Sequence, residues 1–433
     1  MSSSTLEYQP QPQEPPQQVI PKGAALSLGL LLTINLFNYI DRYVLAAVEP
    51  EIGHEFFAMA PNDPATLEKT GSLATAFLIS YMVTAPIFGW LADRMSRWLL
   101  VGIGVILWSL ASGASGLAGT FTILLITRLF VGIGEAGYGP AAPTIIADLY
   151  PVQRRGLKLA WFYMAIPVGS ALGYALGGLM GAHLGWRWAF YSVVIPGLIL
   201  GVVSLLMKDP PRAKTPGNSH RPKLRDYLVL ARNHSYVLNT LGMAALTFAI
   251  GGISYWMPRY LTQVRGLPDS SKIVFGGILC GAGLLATLAG GFTGDWLKKR
   301  YKGSYFIVSG IAILIAVPFV LLMLHSPFPL AWVWIFFAVF FLFFNTGPSN
   351  TILANVTHPS IRASAFALNI FLIHAMGDAP SPPLLGGIAG HYGWDAAFGM
   401  VAAAMVGAAV VWLYGARYLH ADTLAASANH ADG

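Results

Sequence analysis

Ionisable side chains fall well inside two apolar stretches of this chain: Asp41 and Arg42 in NLFNYIDRYVLAAVEP, Arg128 and Glu135 in RLFVGIGEAGYGPAAPTIIADLYP. A charge placed in hydrocarbon costs on the order of 3 kcal/mol on insertion scales, so each of the four must be paired or wetted. On helices, Asn35, Asn38 and Arg42 share one face with Asp41 beside it, and Arg128 and Glu135, seven residues apart, share a stripe with Gly132. The two charged faces are expected to meet. Arg42 with Glu135 and Asp41 with Arg128 are both within reach, and spacing does not choose between the pairings. Such a cluster suits proton-linked work, because a carboxylate beside an arginine stays ionised until the arginine leaves, after which desolvation favours its neutral form. Asp41 and Glu135 are therefore the expected proton carriers. Arg42 and Arg128, with Asn38 on the same face, are the expected contacts for an anionic group. His374 and Asp378, four residues apart, form a second titratable point, followed by Pro380, Pro382 and Pro383, which must break or kink a helix.

The elements that hold these residues follow from composition. Of 433 residues, 55% are apolar and 10% charged, against roughly 25% charged in a soluble domain. A mean hydropathy of +0.60 leaves an apolar surplus that must face lipid, and an ordinary water-soluble enzyme is excluded. Apolar runs of about twenty residues exclude the shorter alternating strands of an outer-membrane barrel. The fold class is an all-α polytopic membrane protein. Cys280, the one cysteine, can form neither an intrachain disulfide nor a cysteine metal cluster.

Twelve apolar segments centre near residues 36, 81, 107, 134, 170, 198, 249, 283, 313, 342, 376 and 406. The expected organisation is a Pro- and Gln-rich disordered tail (1–21), a six-helix bundle (22–207), a polar linker (208–235), a second six-helix bundle (236–419) and a second disordered tail (420–433). No cleavable signal pattern opens the chain, so the first segment is expected to direct insertion itself. With the amino terminus inside, nineteen of the 26 Lys and Arg residues fall on the inner face and five on the outer, which predicts cytoplasmic termini. That asymmetry accounts for the net charge of +7 and makes nucleic acid an unsuitable partner.

The two bundles read as a duplication. At a shift of 208, Gly139-Pro140 falls on Gly347-Pro348, Pro151 on Pro359, Arg154 on Arg362, His183 on His391, Gly185-Trp186 on Gly393-Trp394 and Ala189-Phe190 on Ala397-Phe398. A shift of 202 maps Gly89 and Asp93 of GWLADRMSR onto Gly291 and Asp295 of GFTGDWLKKR. Two parallel repeats form a recurrent transporter architecture, with the solute site at their interface near mid-membrane. The paired loops place Asp93, Arg94, Asp295 and Lys298 where charges can engage on closure and release on opening, a gating role.

Three other motifs carry no weight. Gly132, Gly134 and Gly137 spell G-x-G-x-x-G within a membrane helix with no preceding strand, so the dinucleotide reading fails. Gly113-Ala114-Ser115-Gly116 matches the G-x-S-G string of an intramembrane serine protease, but the twelve-segment duplication does not suit one; a test is loss of activity in Ser115→Ala. No G-x-x-x-x-G-K-[ST] motif supports direct ATP coupling. No enzyme activity, cofactor or metal is expected.

The Gly-x-x-x-Asp-Arg loop and its repeat resemble the signature of the major facilitator superfamily, with Ser96 where a Gly is usual and Trp296 in place of the basic residue after Asp295. NYIDRYVLAAVEP together with RLFVGIGEAGYGPAAPTIIADLYP resembles its spinster branch, whose members export lysophospholipids or sphingosine-1-phosphate. The resemblance implies a major facilitator fold, an amphipathic solute with a charged head and long acyl tail, and functional roles at Asp41, Arg42, Arg128, Glu135 and His374. Aromatic residues suited to a tail are Tyr255 and Trp256 in the seventh segment and Phe336, Phe337, Phe340, Phe341, Phe343 and Phe344 in the tenth. The expected protein is a monomeric proton-coupled transporter of a lysolipid-like solute by alternating access, in a bacterial inner membrane. The alternatives are an uncoupled facilitator or a drug or organic-anion transporter of the same fold.

Overall fold

The computed structural model describes residues 20–58, 63–92, 94–210, 229–357 and 361–428. Asp93, most of the expected first tail and most of the polar linker lie outside these residues. Every regular element among the described residues is helical. The amino-terminal half contains α1 (Ala24–Phe57), α2 (Pro64–Ala92), α3 (Arg97–Gly116), α4 (Phe121–Tyr138), α5 (Ala141–Leu149), α6 (Val152–Leu184) and α7 (Trp186–Leu205). The carboxy-terminal half contains α8 (His234–Arg259), a π turn (Tyr260–Val264), α9 (Ser270–Lys298), α10 (Ser304–His325), α11 (Leu330–Phe343), α12 (Thr346–Val356), α13 (Arg362–Ile373), a second π turn (His374–Asp378), α14 (Ser381–Tyr392) and α15 (Trp394–Gly415). A last helix, α16 (Leu419–Ala428), follows.

Among the described residues, eleven helical stretches are long and apolar enough to cross a membrane. The twelfth crossing is made in pieces. After α13 the backbone widens into the π turn at His374–Asp378 and α14 starts anew beyond Pro380, because a proline ring cannot continue the preceding helix. The fourth and tenth spans also change at matching points: α4 gives way to α5 at Gly139-Pro140, and α11 to α12 just before Gly347-Pro348. Polar caps set several helix starts. Ser96 accepts from Leu99 N, Thr120 from Ile123 N and Asn233 from Tyr236 N.

The duplication is visible in the backbone. Gly185 and Gly393, matched at a shift of 208, have φ of 94° and 86° and each precedes a tryptophan that opens a helix. Only glycine adopts that conformation without strain. In both halves that tryptophan packs on the phenylalanine one turn later, with ring centroids 5.9 Å apart for Trp186–Phe190 and 6.1 Å for Trp394–Phe398. The fold is the twelve-helix, two-bundle arrangement expected from the sequence.

The expected second tail is a different matter, since residues 419–428 form α16. Asp422 on that helix accepts a hydrogen bond from Ser235 N at 2.8 Å, satisfying a free donor in the first turn of α8. A polar end segment can thus order by capping another helix without burying an apolar face.

Seams between α2 and α14 and between α6 and α9 join the two halves. Backbones approach closely there: a Cβ on Gly71 would lie 2.7 Å from the main chain of Pro382 and Pro383, and one on Gly276 would lie 2.9 Å from Ala171 O. Hydrogen bonds cross as well. Thr75 Oγ1 donates to Ala379 O at 2.5 Å, Tyr255 OH to Thr70 O and Tyr174 OH to Ser254 O. Each of these links lies in the half of the structure away from the chain termini, hereafter the far side. On the far side the two halves are held together.

Candidate functional site

The local cause of the site is a long apolar helix that carries its polar residues on one stripe. Asn35, Asn38 and Asp41 of α1 are all buried, so the stripe faces protein. Opposite it lies α4, which can approach α3 closely because a Cβ at Gly134 would lie 2.6 Å from Trp108 N. Across from the α1 stripe, α4 presents its own charges, and both pairs form. Arg42 Nε donates to Glu135 Oε2 at 2.7 Å, and Arg42 Nη2 lies 2.6 Å from the same oxygen. Arg128 Nη1 is 4.0 Å from Asp41 Oδ2.

The two pairs are held differently. Arg42 is 22% exposed at its side chain and Glu135 is fully buried. The Arg42 guanidinium lies over the rings of Phe77 at 4.8 Å, Tyr39 at 5.1 Å and Tyr81 at 5.4 Å. Arg128 and Asp41 are both buried, 2% and 1% exposed. Arg128 Nη2 donates to Ser115 Oγ at 2.6 Å and its guanidinium packs over Phe190, while Ser112 Oγ donates to Asp41 Oδ1. Ser115, the residue of the protease-like string, is thus engaged by Arg128 and lies 2.7 Å from Thr127 Oγ1.

These groups surround a cavity of about 220 Å³ between the halves, lined by Asp41, Arg42 and Arg128 from one half and Tyr255, His374 and Asp378 from the other. His374 Nδ1 lies 2.9 Å from Asp378 Oδ1 and 3.0 Å from Oδ2, within the π turn. Asn38 Nδ2 is directed to the Glu135 carboxylate, while Asp41 Oδ2 and Arg128 Nε are buried with no hydrogen-bond partner. Unsatisfied polar atoms in a charge cluster are costly, and they leave positions that a proton, water or polar solute group can occupy. Among the described residues no group of three or more His, Cys, Asp or Glu side chains is placed to hold a metal ion.

Not every expected residue lines the cavity. Trp256 is buried and donates from Nε1 to Pro382 O at 2.8 Å, bracing α8 against α14. Phe344 packs against Phe340 and Phe341, and that aromatic row stacks with Phe319 of α10 instead of facing the solute cavity. On the terminal side, Arg94 is exposed over Trp90 at 4.0 Å, Asp295 accepts from Tyr305 OH at 2.8 Å and Lys298 lies 5.9 Å from the same ring. Arg97 pairs with Asp148 at 2.6 Å, and Asp209 of the linker accepts from Arg97 N and Trp98 N.

Three charged contacts across the far side escaped the sequence reading. Glu49 accepts from Arg259 Nε at 2.6 Å and Nη2 at 3.1 Å, and Glu51 lies 3.2 Å from Lys272 Nζ, which is itself 2.8 Å from Asp269. Arg259 and Lys272, two of the five cations that the charge count places on the outer face, are 2% and 0% exposed. The available signal was Glu49 itself, a second acid two turns beyond Asp41 in an otherwise apolar run.

Comparison with known proteins adds an independent line. The model of the Major Facilitator Superfamily matches residues 31–379. Protein spinster of Drosophila melanogaster is 36% identical over 397 residues, covering 86% of this chain, which spans only 64% of that relative's length. Protein spinster homolog 1 of Homo sapiens is 36% identical over 396 residues, covering 84% of this chain and 73% of the human protein. The sphingosine-1-phosphate transporter SPNS2 of Xenopus tropicalis is 34% identical over 387 residues, covering 84% and 74%. Among solved structures, a bacterial homologue of the human lysosomal transporter spinster, inward-facing and unoccupied, superposes with a TM-score of 0.76 at 21% identity over 93% of this chain and 97% of that one. A D-xylose-proton symporter gives 0.72 at 18% identity over 90% and 96%.

Proposed function

From the premise that this chain belongs to the Major Facilitator Superfamily and, within it, to the spinster family, we propose that it is a proton-coupled secondary transporter. Its solute is an amphipathic lipid-like molecule of the lysophospholipid or sphingoid phosphate class, moved by alternating access between the halves. The reading agrees with the SPNS2 relatives being sphingosine-1-phosphate transporters, and its main support is one observation. Two acid–arginine pairs, Arg42–Glu135 and Arg128–Asp41, stand together, and Asp41, Arg42 and Arg128 of them line a cavity between halves that are joined on the far side.

The coupling runs through electrostatics. An anionic head group entering the cavity meets Arg42 first, since its guanidinium is the more exposed of the two. As Arg42 turns to the solute, Glu135 loses its cation inside a dry site and takes a proton. Asp41, with one oxygen unpaired beside Arg128, is the second proton carrier, and the His374–Asp378 pair answers from the opposite wall. Asn38 lines the charged stripe behind Arg42, and Tyr255 borders the head-group cavity. Trp256 braces α8 behind Tyr255 through its hydrogen bond to Pro382 O, and the α11 aromatic row, Phe344 included, has no place in the head-group cavity. A cavity of about 220 Å³ suits a head group, with an acyl tail extending beyond it. Asp93 with Arg94, and Asp295 with Lys298, form the gate of the terminal side, where Arg94, Asp295 and Lys298 are exposed and held only by local contacts. The cation asymmetry supports cytoplasmic termini in a bacterial inner membrane.

The test is uptake of a fluorescent lysophospholipid into proteoliposomes under an imposed pH gradient. Asp41→Asn and Glu135→Gln each abolish pH-driven accumulation while leaving a monodisperse, helical protein. Full pH-dependent accumulation in both variants refutes the proton assignment, and accumulation that ignores the gradient in the unmodified protein favours the uncoupled facilitator.

A further inference from the structure

Glu49 and Arg259 stand between two chambers. On α1, Ala46 lines the central cavity and Pro50 lines a second, far-side cavity of about 560 Å³ that also contains Arg259, Glu51, Thr262 and Asp269. On α8, Tyr255 lines the central cavity and Arg259, one turn on, lines the far-side one. The partition is about one helical turn thick. Its charged part is the Glu49–Arg259 pair, 0% and 2% exposed at the side chains, with one residue from each half. Hydrogen bonds from Tyr255 to Thr70 and from Tyr174 to Ser254 flank it.

We propose that the Glu49–Arg259 pair is the latch of the far-side gate, and that the solute path from the central cavity to the far-side vestibule opens by breaking it. A desolvated ion pair is strongly held while dry and loses most of its strength once water enters, so it favours two discrete positions of the halves over a continuum between them. Lys272 is a weaker link of the same kind, because Asp269 on its own helix keeps it paired whether or not Glu51 is in reach. Glu55 and Arg187, 2.6 Å apart, lie on the same side but within one half, and opening leaves them in place.

The inference rests on the alternating-access part of the reading above, so its measurement uses neither solute nor proton gradient. Distances between spin labels are recorded in full-length protein carrying Cys280→Ser. Leu117→Cys with Tyr392→Cys reports the far side, and Trp90→Cys with Tyr301→Cys the terminal side; all four native side chains are exposed. Glu49→Gln raises the far-side-open population about tenfold or more, with the terminal-side distance shortening in step. The swapped variant Glu49→Arg with Arg259→Glu returns both distributions to those of the unmodified protein, and Glu55→Gln leaves them unchanged. Unmoved distributions in Glu49→Gln, or an equal shift in Glu55→Gln, overturn the latch. If Glu49→Gln yields no folded protein, the swapped variant decides: a closed far side supports the latch and an open one overturns it. Loss of proton coupling in the uptake assay would leave these distances untouched, so the two readings fail separately.

Discussion

Removing the two members of the Arg42–Glu135 pair should have unequal consequences, because they are unequally buried. Arg42→Met leaves the Glu135 carboxylate with no cation at a side chain that is fully buried. Breaking a buried pair in this way costs about 3–5 kcal/mol. Glu135→Gln instead leaves the guanidinium partly exposed to the cavity and over the rings of Tyr39, Phe77 and Tyr81, where cation–π attraction of about 0.5–1 kcal/mol per contact offsets part of the loss. A cost of about 1–2 kcal/mol is expected there. The double variant should then be roughly 2 kcal/mol less destabilised than the sum of the singles, since no uncompensated charge remains. Thermal unfolding followed by circular dichroism in detergent micelles reads these costs at about 2–4 °C per kcal/mol for a unit of bundle size, so Arg42→Met lowers the midpoint by about 10 °C. The loss in Arg42→Met also shrinks as pH falls, because a protonated Glu135 no longer needs a counter-charge. Equal costs for the two singles, strict additivity, or a pH-independent loss in Arg42→Met would refute this account of the pair.

Gly71→Leu places a side chain where a Cβ alone would lie 2.7 Å from the main chain of Pro382 and Pro383, so it should prop the α2–α14 seam open, seen as increased labelling of a far-side cysteine by a membrane-impermeant maleimide. Asp209→Ala removes the acceptor of two backbone N–H groups at the start of α3 and should cost about 1–2 kcal/mol, with faster hydrogen exchange confined to the first turn of that helix. Gly185→Ala and Gly393→Ala each force a side chain into a positive-φ conformation and should each cost about 1–3 kcal/mol, equal within error if the halves are true repeats; thermal unfolding of the two variants measures this.

Much of the fold could be read from the chain because membrane insertion leaves few choices: long apolar runs must be helices, and matched Gly, Pro and Trp residues at one shift must mark a repeat. The charge cluster could be read for the same reason, since Asp41, Arg42, Arg128 and Glu135 have nowhere to sit but against one another. What remained hidden depended on the relative placement of the halves. Arg259 and Lys272 lie at helix ends, where a cation in a loop and a cation buried at an interface look alike in sequence. The phenylalanines of α11 misled for a related reason. An aromatic face directed at a cavity and one stacked on a neighbouring helix have the same spacing, and only the position of Phe319 decides between them.

The repeat duplicates the backbone but not the chemistry. At the shift that superimposes Gly139-Pro140 on Gly347-Pro348, Arg128 falls on Phe336 and Glu135 on Phe343, so the charged stripe of α4 corresponds to an aromatic stripe on α11. The kinks, caps and positive-φ glycines needed for two bundles to move as similar rigid bodies are kept in both copies. Both acid–arginine pairs, Arg42–Glu135 and Arg128–Asp41, are confined to one. A proton taken up by Asp41 or Glu135 therefore changes the charge of the amino-terminal half alone. Groups of the other half that stand near it are Tyr255, the His374–Asp378 turn across the cavity, and Arg259 on the Glu49 pair two turns beyond Asp41 on the same helix. Since α1 carries Asp41, Arg42 and Glu49 together, a small shift of that one helix on protonation moves the central cluster and the far-side contact at the same time, with no need for a longer relay.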